Sequence, residues 1–299
     1  MRQPDDTLVS TPTDRSSVGD IALALGAGGA RGIAHVVVLE VLDELGLRPA
    51  VIAGSSMGAI IGAAYATGMS GSDLRAHLFK TLRRRQHVLA RLMEARVGRF
   101  ADLLRRGLTN PVMVDAELML GTFWPSDMPE TFDELKIPLL VVATDFFAHE
   151  EVVLSSGPLR SAVAGSMAVP GLIRPVSRDG RVLVDGGAVN PLPFDLLFGR
   201  GATVVACDVV GGPISVANGM PSPFEAMFGS AQIMQGAITA KMLRAQAPDV
   251  LIRPAIDSFR ALDFFRFSQI LDAAETLKDS LKRDLDRALN PSGPDSAEH

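Results

Sequence analysis

The feature that most constrains the fold is a strand that runs directly into a cluster of small residues, and it occurs twice. The apolar run Ile21–Leu25 ends in Gly26-Ala27-Gly28-Gly29-Ala30-Arg31-Gly32, and the run 50–53 ends in Gly54-Ser55-Ser56-Met57-Gly58. Helical periodicity follows each cluster. Strands that alternate with helices in this way predict an α/β fold with a largely parallel sheet covered by helices on both faces.

The rest of the chain continues this alternation. Short apolar runs predict five more strands, at 138–144, 151–154, 182–184, 202–207 and 250–252. Helical spacing predicts helices at 33–45, 57–67, 226–243 and 265–289. For 226–243, which contains Met227, Met234 and Met242, a core helix is favoured over a lipid-binding groove. Polar residues dominate 1–19 and 290–299, which predicts two disordered tails around a single domain over 20–289.

Composition limits the classes of protein that remain. Hydrophobic residues make up 47% of the 299 residues, enough for a sizeable core and for some apolar surface. No apolar run is long enough to span a bilayer, and the polar N-terminus lacks the apolar segment of a signal peptide, so we expect a cytoplasmic protein. The single cysteine, Cys207, excludes an internal disulfide and a cysteine-rich zinc site.

The second small-residue cluster fits the nucleophile-elbow pattern G-x-S-x-G, with Ser56 at its centre. A sharp turn between strand and helix exposes such a serine and needs small neighbours, here Gly54 and Gly58. The backbone N–H of Met57, at the start of the next helix, can stabilise a developing oxyanion. The pattern therefore predicts Ser56 as a catalytic nucleophile.

The histidines do not supply a general base for Ser56. A Ser-Asp-His triad of the α/β-hydrolase order needs a histidine after the acid, and only the final residue, His299, satisfies that order. The others are His35, His77, His87 and His149. A carboxylate acting directly on the serine is the alternative. Asp185, which precedes two glycines at a predicted strand end, and Asp208, which also follows a strand, are the two candidates.

The first small-residue cluster matches neither common nucleotide-binding motif. Arg31 stands where a dinucleotide fingerprint has its third glycine, no acidic residue follows about 20 positions later, and no Gly-Lys-Ser/Thr forms a Walker loop. A series of backbone N–H groups at a helix start remains, and it can bind an anion. That anion is a tetrahedral oxyanion in an acyl hydrolase; alternatively, Arg31 holds a lipid phosphate.

The order of glycine-rich loop, serine elbow and Asp-Gly-Gly resembles the patatin-like phospholipases, in particular their small bacterial members. Two more stretches resemble the family: Gly165-Ser166-Met167-Ala168-Val169-Pro170, leading to Arg174-Pro175-Val176, and the segment from Asp185 to Pro193. The similarity covers about residues 20–210. Many members begin the loop with Asp-Gly-Gly-Gly, where this chain has Gly26-Ala27-Gly28-Gly29.

The resemblance implies a three-layer patatin-like fold and a serine acyl hydrolase of the phospholipase A or lysophospholipase type. It implies Ser56 as nucleophile, Asp185 as base, and an oxyanion hole formed by amides around Gly28, Gly29 and Arg31 together with Met57. Such an enzyme acts on a lipid acyl ester and uses no metal and no cofactor. Acyl transfer at the same site, and a non-catalytic regulator that keeps the fold, are the alternatives.

A basic segment lies between the two clusters and the later strands. From Leu74 to Arg106 the chain has ten Lys or Arg and two acidic residues, in a protein whose net charge is −5. Apolar residues interleave with these cations, as in helices that lie on anionic membranes. We expect 74–108 to be a helical insertion. It is either a lid that contacts the inner face of the membrane or a solvated helical face that packs on its own domain. Few aromatics and an acidic chain argue against nucleic-acid binding.

Overall fold

The computed structural model describes residues 21–83, 96–97, 113–200, 202–213 and 219–290. Its main sheet has eight strands. They are β1 (Ile21–Leu25), β2 (Pro49–Ser55), β5 (Leu139–Asp145), β6 (Glu150–Leu154), β7 (Val176–Arg178), β8 (Arg181–Asp185), β9 (Thr203–Cys207) and β10 (Val250–Ile252). Two short strands, β3 (Arg96–Val97) and β4 (Met113–Val114), pair separately.

The sheet is parallel on one side and antiparallel on the other. The order is β10-β9-β1-β2-β5-β8-β7, with β6 also paired to β5. The pairs among β10, β9, β1, β2 and β5 are parallel, and those that involve β6, β7 and β8 are antiparallel. The prediction of an α/β fold with a largely parallel sheet is thus confirmed.

Helices cover the sheet. They are α1 (His35–Glu44), α2 (Met57–Ala66), α3 (Gly71–Leu82), α4 (Ala116–Phe123), α5 (Leu159–Ser166), α6 (Pro223–Ala245), α7 (Phe267–Glu275) and α8 (Lys278–Leu289). The predicted closing helix over 265–289 is wrong as a single element, because the chain leaves the helix after Glu275 and Leu277 donates to Ala274 three residues back. The first predicted helix starts as a 3₁₀ turn, Gly29–Ala34.

The alternation along β1 separates two cores, because successive side chains of a strand point to opposite faces. Ile21, Leu23 and Leu25 belong to the larger core, which includes residues of α1, α2, α7 and α8. Ala22 and Ala24 belong to a smaller core on the other face. The side chains that pack there include Leu192, Phe194, Leu197, Met242 and Leu243.

One edge of β5 brings two distant parts of the chain together. Its first half pairs in parallel with β2, up to the pair Val142–Ser55. Its second half pairs antiparallel with β8, starting at the pair Ala143–Asp185. Because β6 occupies the opposite edge over the same residues, β2 and β8 must share one edge and meet end to end. The residue after Ser55 therefore lies beside Asp185.

Several predictions fall on parts of the chain outside the described ranges. The tails, apart from Asn290, are among them, as are 84–95 and 98–112 of the basic segment. Of that segment the structure describes α3 up to Leu82, then Arg83 and the short strand β3. None of the helices in the described ranges is both long and apolar enough to cross a lipid bilayer.

Candidate active site

Ser56 lies in a sharp turn between β2 and α2. Its φ of 54° and ψ of −117° place it in a region that side-chain-bearing residues rarely adopt, and such backbone strain concentrates at functional sites. A side chain at Gly54 would collide with the backbone of Ala59, and one at Gly58 would overlap the carbonyl oxygen of Leu25. The two glycines of the elbow are thus required by close packing, as the pattern predicts.

The strained turn is held by a residue to which the sequence assigned no role. The hydroxyl of Ser166, at the end of α5, accepts a hydrogen bond from the Ser56 backbone N–H at 2.9 Å. The same hydroxyl donates to the carbonyl oxygen of Val142 at 2.5 Å. Ser166 is fully buried, so both partners would lose their hydrogen bonds without it. Its position in the family-like stretch 165–170 was the only signal in the sequence.

The side chains of Ser56 and Asp185 form a hydrogen bond. The Ser56 hydroxyl donates to Oδ2 of Asp185 at 2.6 Å, and both residues are buried. The other carboxylate oxygen, Oδ1, accepts the N–H of Gly187 at 2.8 Å. The backbone of Asp185 is also fixed, since its N–H donates to Ala168 and its carbonyl oxygen accepts the hydroxyl of Thr144. The carboxylate therefore has one defined orientation towards the serine.

Burial sets the acidity of Asp185. It raises the pKa of this carboxyl from 3.8 to about 6, although the hydrogen bonds from Ser56 and the Gly187 N–H favour the charged form and act in the opposite direction. A carboxylate with this pKa is ionised at neutral pH and is a better proton acceptor than an exposed aspartate. The geometry and the acidity are both those of a general base.

The glycine-rich loop packs against both other motifs. A side chain at Gly32 would overlap that of Met57, and the loop carbonyl of Gly26 lies close to Gly58. A side chain at Gly187 would come within 3.1 Å of Ala27. The three motifs that the sequence singled out thus meet at one place, beyond the ends of β1, β2 and β8.

Gly28 and Gly29 lie at the start of the 3₁₀ turn, where the first N–H groups have no acceptor inside the helix. Gly29 has a φ of 58°, and a side chain there would overlap the carbonyl oxygen of Ala261. The N–H of Ala30 is occupied, because it donates to that same oxygen at 2.7 Å. The loop is therefore anchored at Ala30, one residue after Gly29.

Arg31 and His35 lie beneath this loop rather than on its surface. Arg31 is 1% exposed and its Nη1 approaches the carbonyl oxygen of Gly212 at 3.4 Å, so the guanidinium is enclosed by protein. The Nε2–H of His35 donates to the carbonyl oxygen of Gly26 at 2.9 Å. Burial lowers the pKa of His35 to about 4, which keeps the imidazole neutral at physiological pH. His35 is a positioning group that the sequence did not reveal.

The competing acid Asp208 and the histidine of α3, His77, are engaged elsewhere, and His87 and His299 lie outside the described residues. The carboxylate of Asp208 accepts hydrogen bonds from Nε–H of Arg253, at 3.0 Å, and from the backbone N–H of Val210. It is therefore not the partner of Ser56. His77 donates to the carbonyl oxygen of Phe123 at 2.7 Å. Over the described ranges, no group of three or more His, Cys, Asp or Glu side chains is arranged as a metal site.

An apolar pocket begins at Met57, next to the serine. Side chains of α2, α3 and α4 line it together with Phe264. They include Ile60, Ile61, Leu78, Phe123 and Trp124. Because hydrocarbon is favourably transferred into such surroundings, the pocket suits an acyl chain.

Comparison with known proteins identifies relatives. A family model described as patatin-like phospholipase matches residues 23–198. An uncharacterized NTE family protein of Mycobacterium tuberculosis is 40% identical over 62% of this chain and 48% of its own length. The human patatin-like phospholipase domain-containing protein 6 is 29% identical over 84% of this chain and 19% of its own length. The chain thus spans about half the length of the mycobacterial relatives and a fifth of the human one.

Among solved structures, that of VipD from Legionella pneumophila matches 89% of this chain and 67% of its own, at 14% identity and a TM-score of 0.47. The family model covers more than half of the chain, and it includes the glycine-rich loop, the elbow and the Asp-Gly-Gly turn. The chain is a member of the patatin-like phospholipase family.

Proposed function

We propose that this protein is a serine acyl hydrolase that cleaves acyl esters of lipids, with Ser56 as nucleophile and Asp185 as base. The observation that carries the proposal is the 2.6 Å hydrogen bond from the Ser56 hydroxyl to Asp185, made by a serine in a strained turn. Membership of the family supports a lipid substrate. The reaction proceeds in two steps, acylation of Ser56 and hydrolysis of the acyl-enzyme.

In the first step, Oγ of Ser56 attacks the ester carbonyl carbon while its proton passes to Oδ2 of Asp185. The negative charge that develops on the carbonyl oxygen is stabilised by N–H donors at Gly28, Gly29, Arg31 and Met57, and each such donor contributes about 3–4 kcal/mol. Asp185 then returns the proton to the leaving alcohol. In the second step the same carboxylate takes a proton from water, whose oxygen attacks the acyl carbonyl carbon. The bond from this carbon to Oγ of Ser56 then breaks, Asp185 returns the proton to Oγ, and the fatty acid is released.

The substrate is a lipid whose acyl chain occupies the pocket at Met57. In this arrangement the ester carbonyl lies beside Ser56, and the acyl chain contacts lining residues of the pocket such as Ile60, Leu78 and Phe123. The carboxylic ester of a phospholipid or a lysophospholipid fits this description. The enclosed guanidinium of Arg31 supports a role for that residue in the loop rather than in headgroup binding.

The second part of this proposal concerns the basic segment 74–108, which contacts the anionic cytoplasmic face of a membrane. Its support is the sequence pattern, ten cations with interleaved apolar residues. Binding to neutral vesicles that equals binding to anionic vesicles would contradict this electrostatic contact.

The test of the catalytic proposal is ester hydrolysis by the purified protein, with a soluble short-chain ester and with phospholipid vesicles as substrates. Wild type is compared with Ser56→Ala and Asp185→Asn, and circular dichroism checks the folding of each. We expect both variants to lose activity while they remain folded. As a matched control, Asp208→Asn removes the competing acid, and we expect it to retain activity.

Activity that persists in Ser56→Ala would refute the proposal. Addition of a competing alcohol or lysolipid to the same assay distinguishes hydrolysis from acyl transfer, because transfer produces a new ester. A wild-type protein inactive on both substrates would favour the non-catalytic regulator.

A further inference from the structure

Helix α6 has an unusual exposed face. Met227 is 50% exposed, and Ile233 and Met234 are each 60% exposed, although helices of soluble proteins normally present polar residues to water. The other exposed positions on this side are small or cationic. They are Pro223, Ala226, Ser230, Ala237, Ala240, Lys241, Arg244 and Ala245. The prediction of a core helix over 226–243 is therefore wrong for its outer face and holds only where Met242 and Leu243 pack in the smaller core.

The inner face of the same helix packs against the candidate active site. A side chain at Gly187, two residues after Asp185, would meet Nε2 of Gln235. Gly229 of the same face is buried, and a side chain there would meet Pro213. Because a helix with its side chains is about 10–12 Å across, the exposed apolar residues lie roughly one helix diameter from the catalytic pair.

The charges on α6 are arranged for an anionic partner. Lys241 and Arg244 are exposed on the apolar side, at the C-terminal end of the helix. Its single acidic residue, Glu225, is in the first turn, where it caps the helix through Ser222 and lies 3.6 Å from Nη1 of Arg260. Among the residues that the structure describes, Lys241 and Arg244 form no ion pair. The exposed face thus combines apolar side chains with cations, the combination found in helices that lie at the surface of anionic bilayers.

We propose that the outer face of α6 docks on an anionic phospholipid surface, with Met227, Ile233 and Met234 inserted among the headgroups. The docking itself does not depend on the proposed function. Only its role, which is to bring lipid next to Ser56, rests on that function. The cations on this face favour a lipid surface over a second copy of the chain, because two copies would place Lys241 and Arg244 in a like-charged, partly desolvated contact.

The experiment measures co-sedimentation with vesicles in the Ser56→Ala background, where no lipid is consumed. Vesicles of phosphatidylcholine alone are compared with vesicles that also contain phosphatidylglycerol. One variant carries Met227→Gln, Ile233→Gln and Met234→Gln, because glutamine is polar and a good helix former. Its matched control is Leu45→Gln, an exposed leucine that follows α1 and precedes β2, at the end of the sheet opposite Ser56.

We expect the vesicle partition coefficient of the triple glutamine variant to be roughly 100-fold lower than that of its parent. The reason is that three apolar side chains, each of which would bury about half of its surface in the lipid, are replaced by polar ones. Lys241→Gln and Arg244→Gln should each lower binding about fivefold, and only to anionic vesicles. Leu45→Gln should bind like its parent. In the Ser56-containing protein, the triple variant should hydrolyse a soluble ester at the wild-type rate and vesicle lipid much more slowly.

Unchanged vesicle binding by the triple variant would overturn the proposal, as would a parent protein that does not bind vesicles. Light scattering could also show that the parent is a dimer and the triple variant a monomer. With unchanged vesicle binding, that result would overturn the proposal and identify the face as a contact between two copies. Binding is measured without turnover, so failure of the catalytic proposal appears separately, in the soluble-ester assay.

Discussion

Replacement of Asp185 by asparagine should abolish activity and at the same time stabilise the protein above neutral pH. The pKa of Asp185 is raised from 3.8 to about 6 by burial, so the folded state holds this proton more tightly than the unfolded state. Stability from this group is fully present below the unfolded pKa and is lost as the pH rises through the folded pKa. Relative to the protonated form, the ionised carboxylate costs the folded state about 3 kcal/mol by about pH 8.

Asparagine has nearly the same shape and does not ionise. It can still accept the Gly187 N–H, and its amide can donate to the hydroxyl of Ser56. We therefore expect Asp185→Asn to be stabilised relative to wild type as the pH rises: the difference between their free energies of unfolding should shift in favour of the variant by about 2 kcal/mol from pH 4.5 to pH 8.

Urea denaturation of both proteins at the two pH values measures this difference. Asp208→Asn serves as control, because that substitution also removes one carboxylate after a strand, but one that is paired with Arg253 and not with Ser56. An equal stability difference at both pH values would refute the reasoning, since it would mean that Asp185 is not held at a raised pKa.

Three further predictions address the site and its pocket. The kcat/KM for a soluble ester should rise with pH through one ionisation near the pKa of Asp185, about 6, because only the ionised carboxylate accepts a proton; a flat profile between about pH 5 and pH 7 would count against this base. Ser166→Ala should lower kcat by roughly 10–100-fold with little change in KM, and lower stability by about 2 kcal/mol, since it leaves two buried backbone groups without partners; an unchanged kcat would exclude a positioning role. Ala64→Phe should fill the apolar pocket and lower activity on long-chain esters about tenfold or more, with acetyl esters unaffected; an equal loss on both would place the acyl chain elsewhere.

Most of the site could be predicted from the sequence because each motif directly follows a strand. The elbow at Ser56 ends β2, the glycine loop ends β1, and Asp185 ends β8. Strand ends that carry small residues and one reactive side chain are a local signal, so a single sequence reveals them. The residues alone left Asp185 and Asp208 open as the base, since both follow strands, and the resemblance favoured Asp185. In the structure the Ser56 hydroxyl donates to Asp185, whereas Asp208 accepts from Arg253.

The remaining features depend on contacts between distant parts of the chain. Where the pairing of β5 with β2 ends, β8 continues along the same edge of β5 in the antiparallel direction. This arrangement depends on pairing between distant strands, and nothing in the local sequence pattern of β8 indicates its direction. The position of Ser166 under the elbow follows from the packing of α5 on β5. For α6 the sequence favoured a core helix over a lipid-binding one, because apolar residues at helical spacing indicate only that a helix has an apolar face, and not which surface covers it.

Identification of the residue that carries the acyl group would test the central claim most directly. The protein is mixed with a chromogenic long-chain ester, quenched within the first turnover, digested, and analysed by mass spectrometry. We predict one acyl group on the peptide that contains Ser56 in the wild type and none in Ser56→Ala or, near neutral pH, in Asp185→Asn. An acyl group on any other residue, or turnover that continues without Ser56, would contradict the account.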